Sequence, residues 1–169
     1  MKPVLFCDVD GVINISKTVN DSIIETPFKH LDGLPKFFNY KTFRHRPQVA
    51  DFIKNVEADF VWLTAWQKFA PISLDRMFGR ESQGYLPWKH NLWRAFLDRK
   101  HFQKSVALNA WALANPGKPF IWIDDVATIF AEKYTFADRE DVLIIKTETE
   151  TGLTDEHINS VNRFISLTS

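Results

Sequence analysis

The sequence predicts an α/β domain organised around a mostly parallel sheet. Short apolar runs alternate with stretches of helical periodicity along the 169 residues. The runs at 3–7, 60–63, 120–123 and 142–145 are apolar throughout instead of alternating with polar residues, as strands buried on both faces are. Three of them end in acids or a hydroxyl: Asp8 and Asp10, Thr64, and Asp124 and Asp125. Parallel sheets hold ligands at the carboxyl ends of their strands, so five such side chains at strand ends argue for one site.

Bulk properties narrow the class. The length suits one domain, 1–169, with a real hydrophobic core. Net charge is zero, which gives no global electrostatic case for a nucleic-acid or membrane-surface protein. The lone cysteine, Cys7, lies inside the first apolar run and reads as a small buried hydrophobe. No apolar run approaches the roughly 20 residues that span a bilayer, and no leader-like segment precedes the first strand. A soluble, cytoplasmic protein with no membrane partner is expected. The 15 Phe and 6 Trp suit either a core of large side chains or a stacking surface.

The first strand ends in Asp8-Val9-Asp10-Gly11-Val12. Residues 12–46 follow without sustained periodicity and read as an insert of loops and a hairpin. Its end, Lys36 to Arg46, holds four Lys or Arg, four aromatics and no acid. Cations meet phosphates and rings meet bases, yet a strand with a buried aromatic face and a solvated basic face has the same composition. Pro47 then opens an amphipathic helix through Val49, Phe52, Ile53 and Val56. After the strand 60–63, Thr64 is either a cap for the next turn or a donor to an anion. Helical spacing returns from Lys68 to Phe78, with Gly79 as its stop, and Tyr85 to Trp88 reads as a short edge strand.

Residues 89–104 carry Lys89, His90, Arg94, Arg99, Lys100, His101 and Lys104 against one acid, Asp98. Leu92, Phe96 and Leu97 make this a helix with one buried face, and most of these cations read as its solvated side. Lys104 opens the helical stretch to Asn115, closed by the turn residues 115–119. The strand 120–123 follows, then a helix over Val126 to Lys133 and the strand 142–145. Thr154 announces the last helix as N-cap, with Asp155 and Glu156 in its first turn and Leu153 set to staple against Ile158.

Taken by themselves, Asp8 and Asp10 are two like charges sharing a small space, an arrangement costing several kcal/mol unless a cation or a shared proton offsets it. Such a pair reads as half of a metal site. Hard carboxylate oxygens without a His/Cys cluster favour Mg²⁺ over zinc.

With Asp8-Val9-Asp10-Gly11-Val12, Thr64 after a strand, Lys104 at a helix start and Asp124-Asp125 after a strand, the chain resembles the haloacid dehalogenase (HAD) superfamily of phosphohydrolases. These four motifs span residues 8–125. Trp122-Ile123-Asp124-Asp125 and the later Gly152-Leu153-Thr154 look most like the small HAD domains associated with nucleic-acid repair proteins. The resemblance implies a HAD-like Rossmannoid three-layer sandwich with a small flap or cap insert after strand 1, at 12–46. It assigns Asp8 as nucleophile and Asp10 as the acid and base, with Thr64 and Lys104 binding the phosphoryl oxygens. Mg²⁺ would be held by Asp8, Asp124 or Asp125, and the Asp10 backbone carbonyl. Lys118 and Lys89 are rivals to Lys104. Position 12 is valine where many members have threonine.

The reading that follows is a Mg²⁺-dependent phosphatase working through an aspartyl-phosphate. Its substrate is a phosphorylated small molecule or a nucleic-acid end, the latter suggested by segments 36–46 and 88–104. The alternative is a non-catalytic HAD-fold module that binds phosphate or regulates. Intact Asp8 and Asp10 speak against it, because a binder has no use for an acid/base carboxylate.

Overall fold

The computed structural model describes residues 1–16, 23–27, 42–88, 99–127 and 131–169. Six strands are described: β1 (Val4–Cys7), β2 (Ile24–Pro27), β3 (Thr42–His45), β4 (Asp59–Trp62), β5 (Phe120–Asp124) and β6 (Val142–Lys146). The helices are α1 (Pro47–Asn55), the three-residue α2 (Arg76–Phe78), α3 (Arg99–Ala114) and α4 (Asp155–Thr168). β4, β1, β5 and β6 form one sheet in that order, and every pairing in it is parallel.

The four predicted apolar runs are these four strands, and their alternation divides the core into two sides. On one face Leu5, Cys7, Trp62, Ile121, Ile123 and Ile145 meet Val49 and Ile53 of α1 and Val161 and Ile165 of α4. On the other, Val4, Phe6, Phe120 and Trp122 meet Leu108 and Ala112 of α3. Helices on both faces of a parallel sheet make three layers, as expected. The aromatics serve this core: Phe6, Phe43, Phe60, Phe120, Phe136, Trp62 and Trp122 are all buried. Phe6 sits edge-on to Trp111 at 4.8 Å and to Phe120 at 6.0 Å, the arrangement ring quadrupoles favour.

Several elements depart from the sequence reading. The stretch predicted as one helix over 68–78 holds a π-helical turn at Pro71–Asp75 before α2, since Pro71 has no N–H for the α-helical ladder. Gly79 stops it in the left-handed region, at φ 63°. The expected edge strand at 85–88 reduces to a single parallel bridge between Trp62 and Tyr85, and Pro87 has no N–H to extend it. α3 is already helical at Arg99, so Lys104 lies inside the helix and not at its start. Thr154 caps α4 as predicted, but its reciprocal partner is His157, whose Nδ1 accepts the Thr154 N–H at 3.2 Å.

Within the insert, β2 and β3 pair antiparallel. Lys36 to Lys41 lie outside the described residues, as do 89–98, with Lys89, and residues 128–130 of the helix expected at 126–133. In β3 the buried residues are Phe43 and His45 while Thr42 and Arg44 are half-buried, so this part follows the strand reading of the basic aromatic segment. His45 packs edge-on against Phe78 at 5.3 Å, and its Nδ1 has no hydrogen-bond partner.

Burial pushes the His45 imidazole down to about 4. The unfolded chain therefore takes up this proton first, near pH 6.5, and the folded chain only near 4. The stability contributed by a neutral His45 is complete above pH 6.5 and is lost as pH falls toward 4, by on the order of 2 kcal/mol. Denaturant melts of the wild type and of His45→Phe between pH 7.5 and 4.5 should show the steeper decline in the wild type. Parallel declines would refute this assignment.

Candidate functional site

Sheet register assembles the site. Cys7 pairs with Trp62 on one side and Ile123 on the other, so Asp8, Thr64 and Asp124 emerge together where β1, β4 and β5 end. The Asp8 N–H continues the ladder to the Ile123 carbonyl at 3.0 Å, and the Leu63 N–H does the same to Cys7 at 2.9 Å. Asp8, Thr64 and Asp124 are all buried. Lys104 reaches this edge from α3 with its side chain only 2 % exposed. It donates to Asp8 Oδ2 and also to Asp124 Oδ2, the latter at 2.9 Å. The free oxygen of each carboxylate accepts a backbone N–H, Val9 at 2.7 Å on Asp8 and Val126 at 3.1 Å on Asp124.

Burial raises the Asp8 carboxyl to about 7; the Lys104 ammonium opposes that shift and the neighbouring Asp124 adds to it. Burial disfavours the Lys104 charge as well, but Asp8 and Asp124 outweigh it and hold this lysine above its ordinary value. One cation between two buried carboxylates leaves a net negative centre. Asp125 adds a third: oxygens of Asp8, Asp124 and Asp125 all lie within 4.8 Å of one another. A set of hard, anionic oxygens carrying more negative charge than its lysine offsets fits a Mg²⁺ ion.

Two glycines allow this crowding. Gly11 has φ 77°, and a methyl group there would stand 2.5 Å from Asp125 Oδ2. Gly152 has φ 61° and approaches the Val12 carbonyl so closely that a methyl would come within 2.3 Å. The segment after β6 is thus clamped onto the loop after β1. Thr147 donates to the Gly11 carbonyl at 2.7 Å, Leu153 N–H to the Val12 carbonyl at 2.8 Å, and Thr149 to Asp125 Oδ2 at 2.9 Å.

Asp10 is set apart. Its side chain is exposed and lies outside the carboxylate cluster, so of the four predicted metal residues Asp10 does not join by its carboxylate. Instead, Asn14 Nδ2 donates to its Oδ1 at 2.7 Å and Trp66 Nε1 to its Oδ2 at 2.9 Å. Among the predicted site residues, then, Asp8, Lys104, Asp124 and Asp125 come together directly, with Thr64 at the adjacent strand end. Thr64 also acts as the structural cap, since its Oγ1 accepts the Trp66 N–H at 3.3 Å. Lys118 lies at the opposite, amino-terminal edge of the sheet, 3.5 Å from Asp59. Asn14, Trp66, Thr147 and Thr149 carry no motif that sequence singles out; the last two lie in the polar segment that follows β6.

A protein-family model described as the HAD domain in Swiss Army Knife RNA repair proteins matches residues 4–158. No match was found among curated proteins or among solved structures.

Proposed function

The chain belongs to that HAD-domain family, and on this premise we propose that it is a Mg²⁺-dependent phosphohydrolase that removes a terminal phosphate from RNA. The observation that carries the reading is the division of labour among its acids. Asp8 is buried against Lys104 and Asp124, while Asp10 stands outside on its own hydrogen bonds. A phosphate-binding module would gain nothing from that separation.

In the first step an Asp8 carboxylate oxygen attacks phosphorus. The bond from phosphorus to the leaving oxygen breaks, and that oxygen keeps the bonding pair and takes a proton from Asp10. An alcohol and an Asp8 acyl phosphate result. Water then attacks phosphorus, Asp10 accepts its proton, and the bond from phosphorus to Asp8 breaks to give inorganic phosphate. In this reading Lys104 and the Thr64 hydroxyl proton meet phosphoryl oxygens, lowering the repulsion between two anions that must approach in line. Asp8, Asp124 and Asp125 would hold Mg²⁺, which when bound supplies further positive charge to the phosphoryl group.

The test is a phosphate-release screen with and without Mg²⁺ over small phosphomonoesters and 3′- and 5′-phosphorylated RNA and DNA oligonucleotides. Release that needs Mg²⁺, is abolished by chelator and is fastest on an RNA end is the expected result. Saturable phosphate binding without turnover on any substrate would favour the non-catalytic module.

A further inference from the structure

We infer that Trp66 and Asn14 are positioning residues for Asp10, holding its carboxylate so that proton transfer reaches the leaving oxygen. The inference rests on the phosphohydrolase reading for its consequence in rate, but its geometry stands independently. An exposed aspartate ordinarily turns freely about its side-chain bonds. Asp10 instead has each oxygen occupied by a separate N–H donor, from two different parts of the chain.

Both donors are themselves fixed. Trp66 is buried, and its ring lies edge-on to Phe43 at 5.9 Å. Its turn is closed by the Gln67 N–H on the Thr64 carbonyl at 3.1 Å, with Gln67 held at φ 51°. A non-glycine residue in the left-handed region is a conformation the surroundings must impose. The turn that places Thr64 at the sheet edge thus also aims the indole at Asp10. Asn14 is tied on three sides. Its backbone N–H reaches the Val9 carbonyl at 2.9 Å and its carbonyl accepts the Gly11 N–H at 2.9 Å. Its Oδ1 accepts the Arg44 N–H of β3 at 3.0 Å. The amide therefore connects the β2–β3 pair of the insert to the acid.

Asp10 and Asn14 line a cavity of about 400 Å³ together with Ser16, Thr42, Arg44 and Thr149. A leaving group protonated by Asp10 must lie beside that carboxylate, and this cavity is the space there. Hydroxyls, an amide and a guanidinium suit a polar sugar alcohol. Such an alkoxide leaves poorly without a proton, whereas an aryl oxide leaves without one, so positioning of Asp10 should matter for the first and little for the second.

Wild type, Trp66→Phe and Asn14→Ala are compared on a 3′-phosphorylated oligonucleotide and on p-nitrophenyl phosphate, with Mg²⁺. Each variant should lose at least tenfold more kcat on the oligonucleotide than on the aryl ester. Equal losses on both esters would mean a merely structural role and would overturn the inference. Failure of the wild type to hydrolyse either ester would instead count against the phosphohydrolase reading. A second measurement needs no turnover. The indole N–H resonance that vanishes in Trp66→Phe should move in Asp10→Ala and stay in place in Asp125→Asn. A resonance indifferent to Asp10→Ala would overturn the contact itself.

Discussion

Asp8→Asn is expected to lower kcat for phosphate release by roughly 10³-fold or more, the scale of losing an activated nucleophile. The amide nitrogen has no pair to offer phosphorus, and the amide oxygen is a far weaker nucleophile than a carboxylate. The protein should nevertheless remain folded. Asp8 accepts from both Val9 N–H and the Lys104 ammonium, and an asparagine oxygen can serve only one of them. One hydrogen bond in a buried site is then lost, at about 1–2 kcal/mol. The measurement is steady-state phosphate release at saturating Mg²⁺, paired with an acid quench that traps covalently bound phosphate. A variant keeping a tenth of the wild-type rate, or still trapping phosphate on the chain, would remove Asp8 from the role of nucleophile.

Asp8, Thr64 and Asp124 are legible in sequence for a reason that limits what else can be read. Each is an acid or a hydroxyl directly after an apolar run, where a polar group needs a reason, and a parallel sheet brings such ends to one edge. The order β4-β1-β5-β6 is not legible in the same way. The four runs are similar in composition, and only tertiary packing makes β1 and β5 neighbours so that Asp8 and Asp124 can share Lys104. Lys104 itself is identifiable, but its expected place at a helix start is not where it lies, because α3 is already helical at Arg99. Asn14 and Trp66 leave less trace still. Asn14 sits in a stretch that reads as loop, and Trp66 is one of 6 tryptophans whose ring alone explains its burial. Their function resides in single polar atoms directed at Asp10, and no periodicity or spacing encodes that direction. Thr154 shows the opposite case: a cap is a local device, so sequence finds it, though not the His157 that completes it.

Lys104→Met should be the most destabilising single substitution at the site. The methionine fills the same volume, so the loss is electrostatic: Asp8 and Asp124 are left as two buried carboxylates with no cation between them. Removing one partner from a buried ionic cluster costs about 3–5 kcal/mol, or roughly 10 °C in Tm for a chain of this size. The pH dependence distinguishes this cause from lost packing. Burial and Asp124 already raise the Asp8 carboxyl, and Lys104 is the main group pulling it down. Without the lysine the folded state binds a proton at this cluster more readily than the unfolded chain does. A carboxyl raised in the folded state contributes stability at low pH that is lost as pH rises, so the deficit of Lys104→Met relative to wild type should be largest near pH 8 and smaller near pH 5.5. A bound Mg²⁺ would restore part of the missing positive charge, so the ion should raise the Tm of this variant more than that of the wild type. Denaturant and thermal melts at both pH values, in chelator and in Mg²⁺, separate the possibilities. A deficit equal at pH 8 and 5.5 would make Lys104 a packing residue, and a deficit below about 1 kcal/mol would mean that water already screens the two carboxylates.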